Sequence, residues 1–263
     1  MKLNKTAVII ALILLFYLYY KMCTIEGFYQ TTTKAMIIIE PRKHVLLKKV
    51  IENFDKHMDA SWDLYVFHGV SFGEYAKECT SKIKSRNVIL VPLDRNDMTA
   101  TDYNRLFKKK YFWDKIHAED ILVFQTDSVL CGASSKVIND YIQYDYIGCS
   151  YDNKTIGKNK FIYWEPQFEF YGIGGLSFRK KSFMLNCIYD NADVPDEFPE
   201  DMFFSQCVAK SSKRPPNAKV LNEFCTQFVF REKSWGAHKT NIDLQNKDEF
   251  YEYCPEALML ENS

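Results

Sequence analysis

Four short stretches of the chain carry residue types that could do chemistry. The first is Gln125-Thr126-Asp127, which follows the apolar run Ile121-Leu122-Val123-Phe124. A carboxylate emerging from a buried strand stands at the carboxyl edge of a sheet, where a hard cation bridging diphosphate oxygens could be held. Thr126-Asp127-Ser128 is also ordinary turn chemistry, since such side chains bond to nearby backbone. The second stretch holds Gly172, Gly174 and Gly175, which suit a turn with positive φ or a backbone that closely approaches a ligand. Their spacing and place are not those of a GxGxxG fingerprint opening a first helix. The third is Glu200-Asp201, an acid/base pair in chemistry and a pair of first-turn carboxylates in structure. The fourth is His238-Lys239: an imidazole can ligate a metal and an ammonium can meet phosphate, with a surface histidine as the plain alternative. No GxSxG, HExxH, P-loop or Cys/His catalytic pattern occurs.

These residues work together only if the chain between them brings them to one place. Ala35 to Ile39 is a continuous apolar strand ending at Glu40-Pro41-Arg42, where Pro41 stops the ladder. Val45, Leu46, Val50, Ile51, Phe54 and Met58 then recur at near-helical spacing. Further strands are predicted at 62–68, 87–93, 121–124 and 146–149, and helices at 72–83, 103–116 and 136–144. This alternation predicts an α/β fold, a mostly parallel central sheet flanked by helices, with ligands beyond the carboxyl ends of its strands. Later, a helix runs through Met184, Leu185 and Ile188, another covers 199–210 beginning on Pro199, and 220–230 reads as a strand. Ser128-Val129-Leu130 reads as a turn back into the fold, Lys108 to Lys110 as a solvated face, and 152–169 as a polar, aromatic loop, a lid or acceptor-side segment. Trp62, Trp113 and Trp235 read as core, and Trp164, in the polar loop, as a candidate sugar platform.

Bulk properties narrow the class. The 34 basic and 34 acidic residues cancel, which argues against long-range attraction to nucleic acid. Eight cysteines are widely spaced with no CxxC pair, so they read chiefly as core thiols, and the sequence pairs none of them. Ala7 to Tyr20 is fourteen residues without a charge, behind Lys2 and Lys5. No small-x-small cleavage site follows, and tyrosines close the run as at a membrane interface. A retained signal anchor is the favoured reading, with a cleaved signal and a core segment as alternatives. Basic residues before the run leave the N-terminus cytosolic and the remainder lumenal or exoplasmic, a type II orientation of endoplasmic reticulum or Golgi kind. The predicted organisation is 1–23 tail and anchor, 24–33 a short stem, and 34–263 the catalytic-type domain. Asn153-Lys154-Thr155 is a glycosylation sequon on a lumenal face.

In order along the chain, Glu40-Pro41-Arg42 with His44, Asp102-Tyr103-Asn104-Arg105-Leu106, Phe112-Trp113, Phe124-Gln125-Thr126-Asp127-Ser128, Asp145-Tyr146-Ile147-Gly148, Gly174-Gly175-Leu176-Ser177 with Arg179, Pro199-Glu200-Asp201 with Phe204-Ser205, and His238-Lys239 resemble an uncharacterised family of glycosyltransferase-like proteins of fungi, bacteria and large DNA viruses. The resemblance implies the A-type glycosyltransferase fold, a nucleotide-sugar donor, Mn2+ or Mg2+, and transfer to a hydroxyl of a glycan, glycoprotein or other acceptor.

Residue by residue, it implies Asp127 and His238 as metal ligands, with Gln125 where relatives of the wider fold have an aspartate toward the ribose. Lys239 would lie near phosphate, Glu40 and Arg42 at the nucleotide, and Tyr103, Asn104, Gly174 and Gly175 around the donor. Asp201, or Glu200, would be the acceptor-side base of an inverting reaction. Two positions depart from the family: Ile173 replaces an asparagine, and Gln227 aligns with a late-strand glutamate. A catalytically silent carbohydrate-binding or scaffold protein on the same fold is the rival reading, and a nucleotidyltransferase a third.

Overall fold

Lys34–Glu40 (β1), Asp63–His68 (β2), Val88–Pro92 (β3) and Asp120–Phe124 (β4) lie side by side as parallel strands, in the order β3-β2-β1-β4. Gly172–Lys180 (β7) pairs antiparallel with β4, and Tyr146–Ser150 (β6) pairs antiparallel with β7, completing six strands. β7 alone runs against the rest, so the sheet is mostly parallel, as the alternation predicts. The structure is a computed structural model that describes residues 34–151, 172–212 and 214–262, within a unit spanning Thr33–Ser263. The anchor, stem, Cys23, sequon and polar loop with Trp164 lie outside the described residues. Among the described residues no helix is long and apolar enough to cross a membrane.

β2 and β4 are buried at every position, as are Ala35 to Glu40 of β1, because helices cover both faces of this part of the sheet. β3, at an edge, is half-exposed and ends on Pro92, whose missing N–H costs an edge strand least. The helices are Leu47–His57 (α1), Gly73–Thr80 (α2), Ala100–Phe107 (α3), Lys110–Trp113 (α4), Lys181–Asp190 (α5), Glu200–Ser211 (α6), Ala218–Phe224 (α7), Thr240–Asp243 (α8) and Lys247–Tyr253 (α9). A second, small sheet of Ser128–Leu130 (β5), Gly236–His238 (β9) and Cys225–Thr226 (β8) has β9 at its centre. Trp62, Trp113 and Trp235 are core residues.

Several local expectations are corrected. The span 103–116 holds two helices, because Lys108 turns inward rather than sitting on a solvated face. It is buried and donates to the carbonyls of Asp196 at 3.0 Å and Phe198 at 2.6 Å, so the chain breaks before α4. In place of a helix at 136–144 there is a 3-10 turn, Ile138–Asp140. The late strand is chiefly α7, capped by Asn217 accepting from the Val220 N–H, with a strand of only two residues after it. Ser128 to Leu130 is a strand, since His238, Ala237 and Gly236 supply its partners. Four of the cysteines are paired, Cys131 with Cys254 and Cys149 with Cys225, while Cys79, Cys187 and Cys207 are buried thiols. Each bridge ties an element of the small sheet, or the residue just beyond it, to another part of the fold.

Candidate functional site

β4 delivers its last residue, Phe124, against Phe54 of α1, the rings stacked at 3.9 Å. One residue earlier on α1, Asn53 clamps Leu130, donating to its carbonyl at 3.0 Å and accepting its N–H at 2.8 Å. α1 thus holds both ends of the segment in which Asp127 sits. Between them the Ser128 N–H donates to the Gln125 carbonyl at 3.0 Å, and Ser128 Oγ accepts the Gln125 N–H at 3.2 Å. Asp127 is therefore a turn residue and a residue of the sheet's carboxyl edge at once.

β9 brings His238 to the same turn, pairing it with Ser128. His238 is only 2% exposed, not on the surface. Its Nε2 lies 3.2 Å from Asp127 Oδ1 and 3.2 Å from Gln125 Oε1, while Nδ1 lies 2.8 Å from Gln227 Oε1. The approach to Asp127 lacks hydrogen-bond alignment, and Asp127 Oδ1 is buried without a hydrogen-bond partner. Burial pushes the Asp127 carboxyl up, but His238 and Lys239 outweigh it and hold it below the ordinary carboxylate value. Lys239 donates its N–H to the Asp127 carbonyl at 2.9 Å and adopts left-handed backbone, φ 51° and ψ 31°. Such a conformation costs a lysine about 1 kcal/mol or more and tends to persist where function requires it.

The glycines do not make a turn, and among the described residues no glycine has positive φ. They form a bulge in β7: Gly148 of β6 pairs with Ser177 and the next residue, Cys149, with Ile173. Gly174 to Leu176 are thereby left out of that ladder, an arrangement common beside functional sites. A side chain on Gly174 would overlap Glu200 Oε1, and one on Gly175 would overlap His238 Nε2. Two consecutive residues thus press against the two halves of the site.

On the Gly174 side, Glu200 is 3% exposed and grips the fully buried Arg179 at 2.6 and 2.9 Å. Rings of Phe107, Tyr146 and Phe204 enclose the guanidinium at 4.5, 5.2 and 5.6 Å. Burial disfavours both charges, yet contact with Glu200 lifts Arg179 above its ordinary value. Asn104 accepts the Glu200 N–H at 3.2 Å, capping the start of α6. Asp201, next in sequence, is half-exposed and accepts the Gly174 N–H at 3.4 Å and its neighbour Met202 N–H at 2.8 Å. Tyr103 reaches the same centre from α3 beside Gln125, and burial raises its phenol above the ordinary value.

Glu40 and Arg42 stand where β1 ends, their side chains joined by two hydrogen bonds of 2.9 and 3.0 Å. Glu40 is buried while the Arg42 side chain is 58% exposed, so the pair presents its cation outward. Beyond α3, a cavity of about 210 Å³ is lined by Phe67, Leu93, Met98, Leu106, Phe112 and Lys115 among others. None of the site residues above lines it.

The structure therefore gathers Gln125, Asp127, Gly175, His238 and Lys239 in one cluster, and Asn104, Gly174, Glu200 and Asp201 in an adjoining one, with Tyr103 between them. Glu40 and Arg42 stand apart from these clusters as a pair of their own at the end of β1. Sequence reasoning assigned no role to Arg179, although it lies in the stretch with Gly174 and Gly175, and it overlooked Asp243, which accepts from Gln227 Nε2 at 2.7 Å. No local pattern marks Asp243, because its partner is sixteen positions away. Among the described residues no three His, Cys, Asp or Glu side chains are grouped to hold a metal. The donor set is one carboxylate, one imidazole and one amide oxygen.

No curated protein matches the sequence. Among solved structures, the chain is similar to core-mannan synthase A (CmsA/Ktr4) of Aspergillus fumigatus in its Mn/GDP form. The likeness covers 67% of this chain and 70% of that one at 8% identity, with a TM-score of 0.47. Residues 90–240, more than half of the chain, match one protein family, and the chain belongs to it: the family described as protein of unknown function DUF5672.

Proposed function

We propose that the protein is a metal-dependent glycosyltransferase that moves a sugar from a nucleotide-sugar donor to a hydroxyl of a glycan, glycoprotein or other acceptor. The observation that carries this reading is the meeting of Asp127 Oδ1, His238 Nε2 and Gln125 Oε1 at the carboxyl edge of a mostly parallel sheet, with one of those oxygens buried without a hydrogen-bond partner. The ordered motifs, from Glu40-Pro41-Arg42 to His238-Lys239, support it as well.

The donor set fits Mn2+ or Mg2+, which take oxygen ligands and, for Mn2+, imidazole, and which complete their shells with substrate phosphates. Asp127, His238 and Gln125 would hold the ion. When bound, it supplies charge neutralisation to the departing nucleoside diphosphate. Lys239 adds a fixed positive charge beside that diphosphate. Asp201 is the base in this reading, because it is half-exposed while Glu200 is committed to Arg179. Its carboxylate takes the proton of the attacking hydroxyl. Glu40 and Arg42 meet the nucleotide from the end of β1, and Tyr103 and Asn104 border the donor from α3.

The two disulfides fit an oxidising compartment, which supports a type II membrane protein with its domain lumenal or exoplasmic. Purified protein should bind or hydrolyse at least one nucleotide sugar in the presence of Mn2+, and Asp127→Ala should abolish this. A broad donor panel showing no binding, with or without Mn2+, overturns the reading. One observation favours a catalytically silent carbohydrate-binding or scaffold protein: Gln125 leaves the cation edge with a single carboxylate. In that case ligand binding survives loss of both Asp127 and Asp201.

A further inference from the structure

We infer that Asp243 is a positioning residue for the cation site, acting through Gln227 to set which nitrogen of His238 carries hydrogen. The consequence for metal binding rests on the function proposed above; the hydrogen-bond chain does not.

His238 Nδ1 lies 2.8 Å from the side-chain oxygen of Gln227. A side-chain amide has an accepting end and a donating end, so the end that faces the ring decides the tautomer. Asp243 makes that choice. Gln227 Nε2 donates to Asp243 Oδ2 at 2.7 Å, and an ionised carboxylate only accepts. The amide carbonyl is thereby turned to the ring, where only an N–H can meet it. Nδ1 carries the hydrogen in either charge state, and once the ring is neutral its Nε2 is left as a bare acceptor. It points into the space it shares with Asp127 Oδ1 and Gln125 Oε1, each 3.2 Å away. An imidazole lone pair and two oxygens without a donor among them call for a positive centre, which is either a proton on Nε2 donated to Gln125 Oε1 or a cation in its place. With the amide turned over, hydrogen on Nε2 would occupy that place.

The backbone explains how Asp243 reaches Gln227. β9 ends at His238, and Lys239 turns left-handed, alone among the described non-glycine residues. α8 begins at once, with the N–H groups of Ile242 and Asp243 on the Lys239 carbonyl at 3.1 and 2.9 Å. One turn of helix carries Asp243 back beside β9 to Gln227, which is 5% exposed. His238, Lys239, Asp243 and Gln227 thus close a ring. The strained residue of the site is what returns the carboxylate to the histidine it serves. Hydrogen-bond partners behind a metal-binding histidine commonly affect metal affinity by about 10- to 100-fold.

The test uses full-length protein labelled with 15N-histidine, with the His238 signals assigned by their loss in His238→Gln. Long-range 1H–15N spectra at alkaline pH should show His238 with protonated Nδ1 and bare Nε2. Asp243→Ala, and the gentler Asp243→Asn, should mix or invert that pattern while thermal unfolding shows the fold retained. Mn2+ titration followed by electron paramagnetic resonance should weaken by about 10- to 100-fold in Asp243→Ala. Adding Gln227→Glu to Asp243→Asn should restore it, because a carboxylate at 227 accepts from Nδ1 whichever way it is turned. Protonated Nε2 in the native protein, or an unchanged tautomer in both Asp243 variants, overturns the inference. A native protein with the expected tautomer but no Mn2+ binding, alone or with a nucleoside diphosphate, upholds the chain and removes the cation-site reading instead.

Discussion

Two acid–base pairs stand on either side of Gly174-Gly175, and they are finished to different degrees. Arg179 and Glu200 meet through two short hydrogen bonds inside a cage of three aromatic rings, almost wholly withdrawn from water. Asp127 and His238 approach at 3.2 Å without alignment, and one carboxylate oxygen has no hydrogen-bond partner. A buried ion pair so fully matched is scaffold: it fixes the first turn of α6 and, with it, Asp201. A pair left incomplete at the mouth of a sheet has coordination to spare for a ligand. Two glutamates or aspartates in one sequence can thus serve opposite ends, and what separates them is how many partners the fold provides.

The largest effect should come from breaking the finished pair. Arg179→Ala leaves Glu200 buried and uncompensated, and should cost about 3–5 kcal/mol in urea unfolding. Asp127→Ala should change stability by only about 1 kcal/mol or less, since a partly exposed carboxylate without an aligned partner contributes little, while removing metal-dependent donor binding. Equal destabilisation by the two variants would erase the distinction drawn between them.

An intermediate effect is expected at the bulge. Gly174→Ala and Gly175→Ala each force a methyl into an occupied space, at about 1–3 kcal/mol. The two should differ in kind. The first presses on Glu200 and Arg179 and should lower the unfolding midpoint. The second presses on His238 and should weaken Mn2+ binding beyond what its stability loss explains. Paired unfolding and titration curves check this.

The smallest effect concerns pH. Because Asp127 lies below the ordinary carboxylate value in the folded state, its share of stability is fully present above the unfolded value of 3.8 and fades as pH falls through the folded one. Urea midpoints measured downward from about pH 5 should therefore fall more steeply for the native protein than for Asp127→Asn. Parallel curves would show that His238 and Lys239 do not favour the ionised carboxyl.

Apolar runs and their alternation with helical patterns were enough to forecast the parallel half of the sheet, because a strand buried on both faces must be apolar throughout. Ile121 to Phe124 with Asp127 just beyond is legible for that reason. Short-range reading failed where distant partners decide. Ser128 to Leu130 became a strand only because β9 lies alongside, and 220–224 became helix before a two-residue strand tethered by Cys225. Lys108 looked like surface charge until the carbonyls of 196 and 198 received it. The glycines suit a turn or a close approach to a ligand equally well, because density of glycine signals closeness without saying to what. Their neighbours turned out to be Glu200 and His238, dozens of positions away.

The sequence by itself determined which residues carry titratable or ligating atoms, the edge at which Asp127 emerges, and the α/β class, since each depends on side-chain type and local period. Only the tertiary structure decided that Glu200 is bound to Arg179 while Asp201 is left half-exposed, that His238 is buried beside Asp127, and that Asp243 stands behind Gln227. Those outcomes depend on partners brought together by strand pairing and loop closure, and no spacing along the chain encodes a hydrogen bond between elements that meet only after folding.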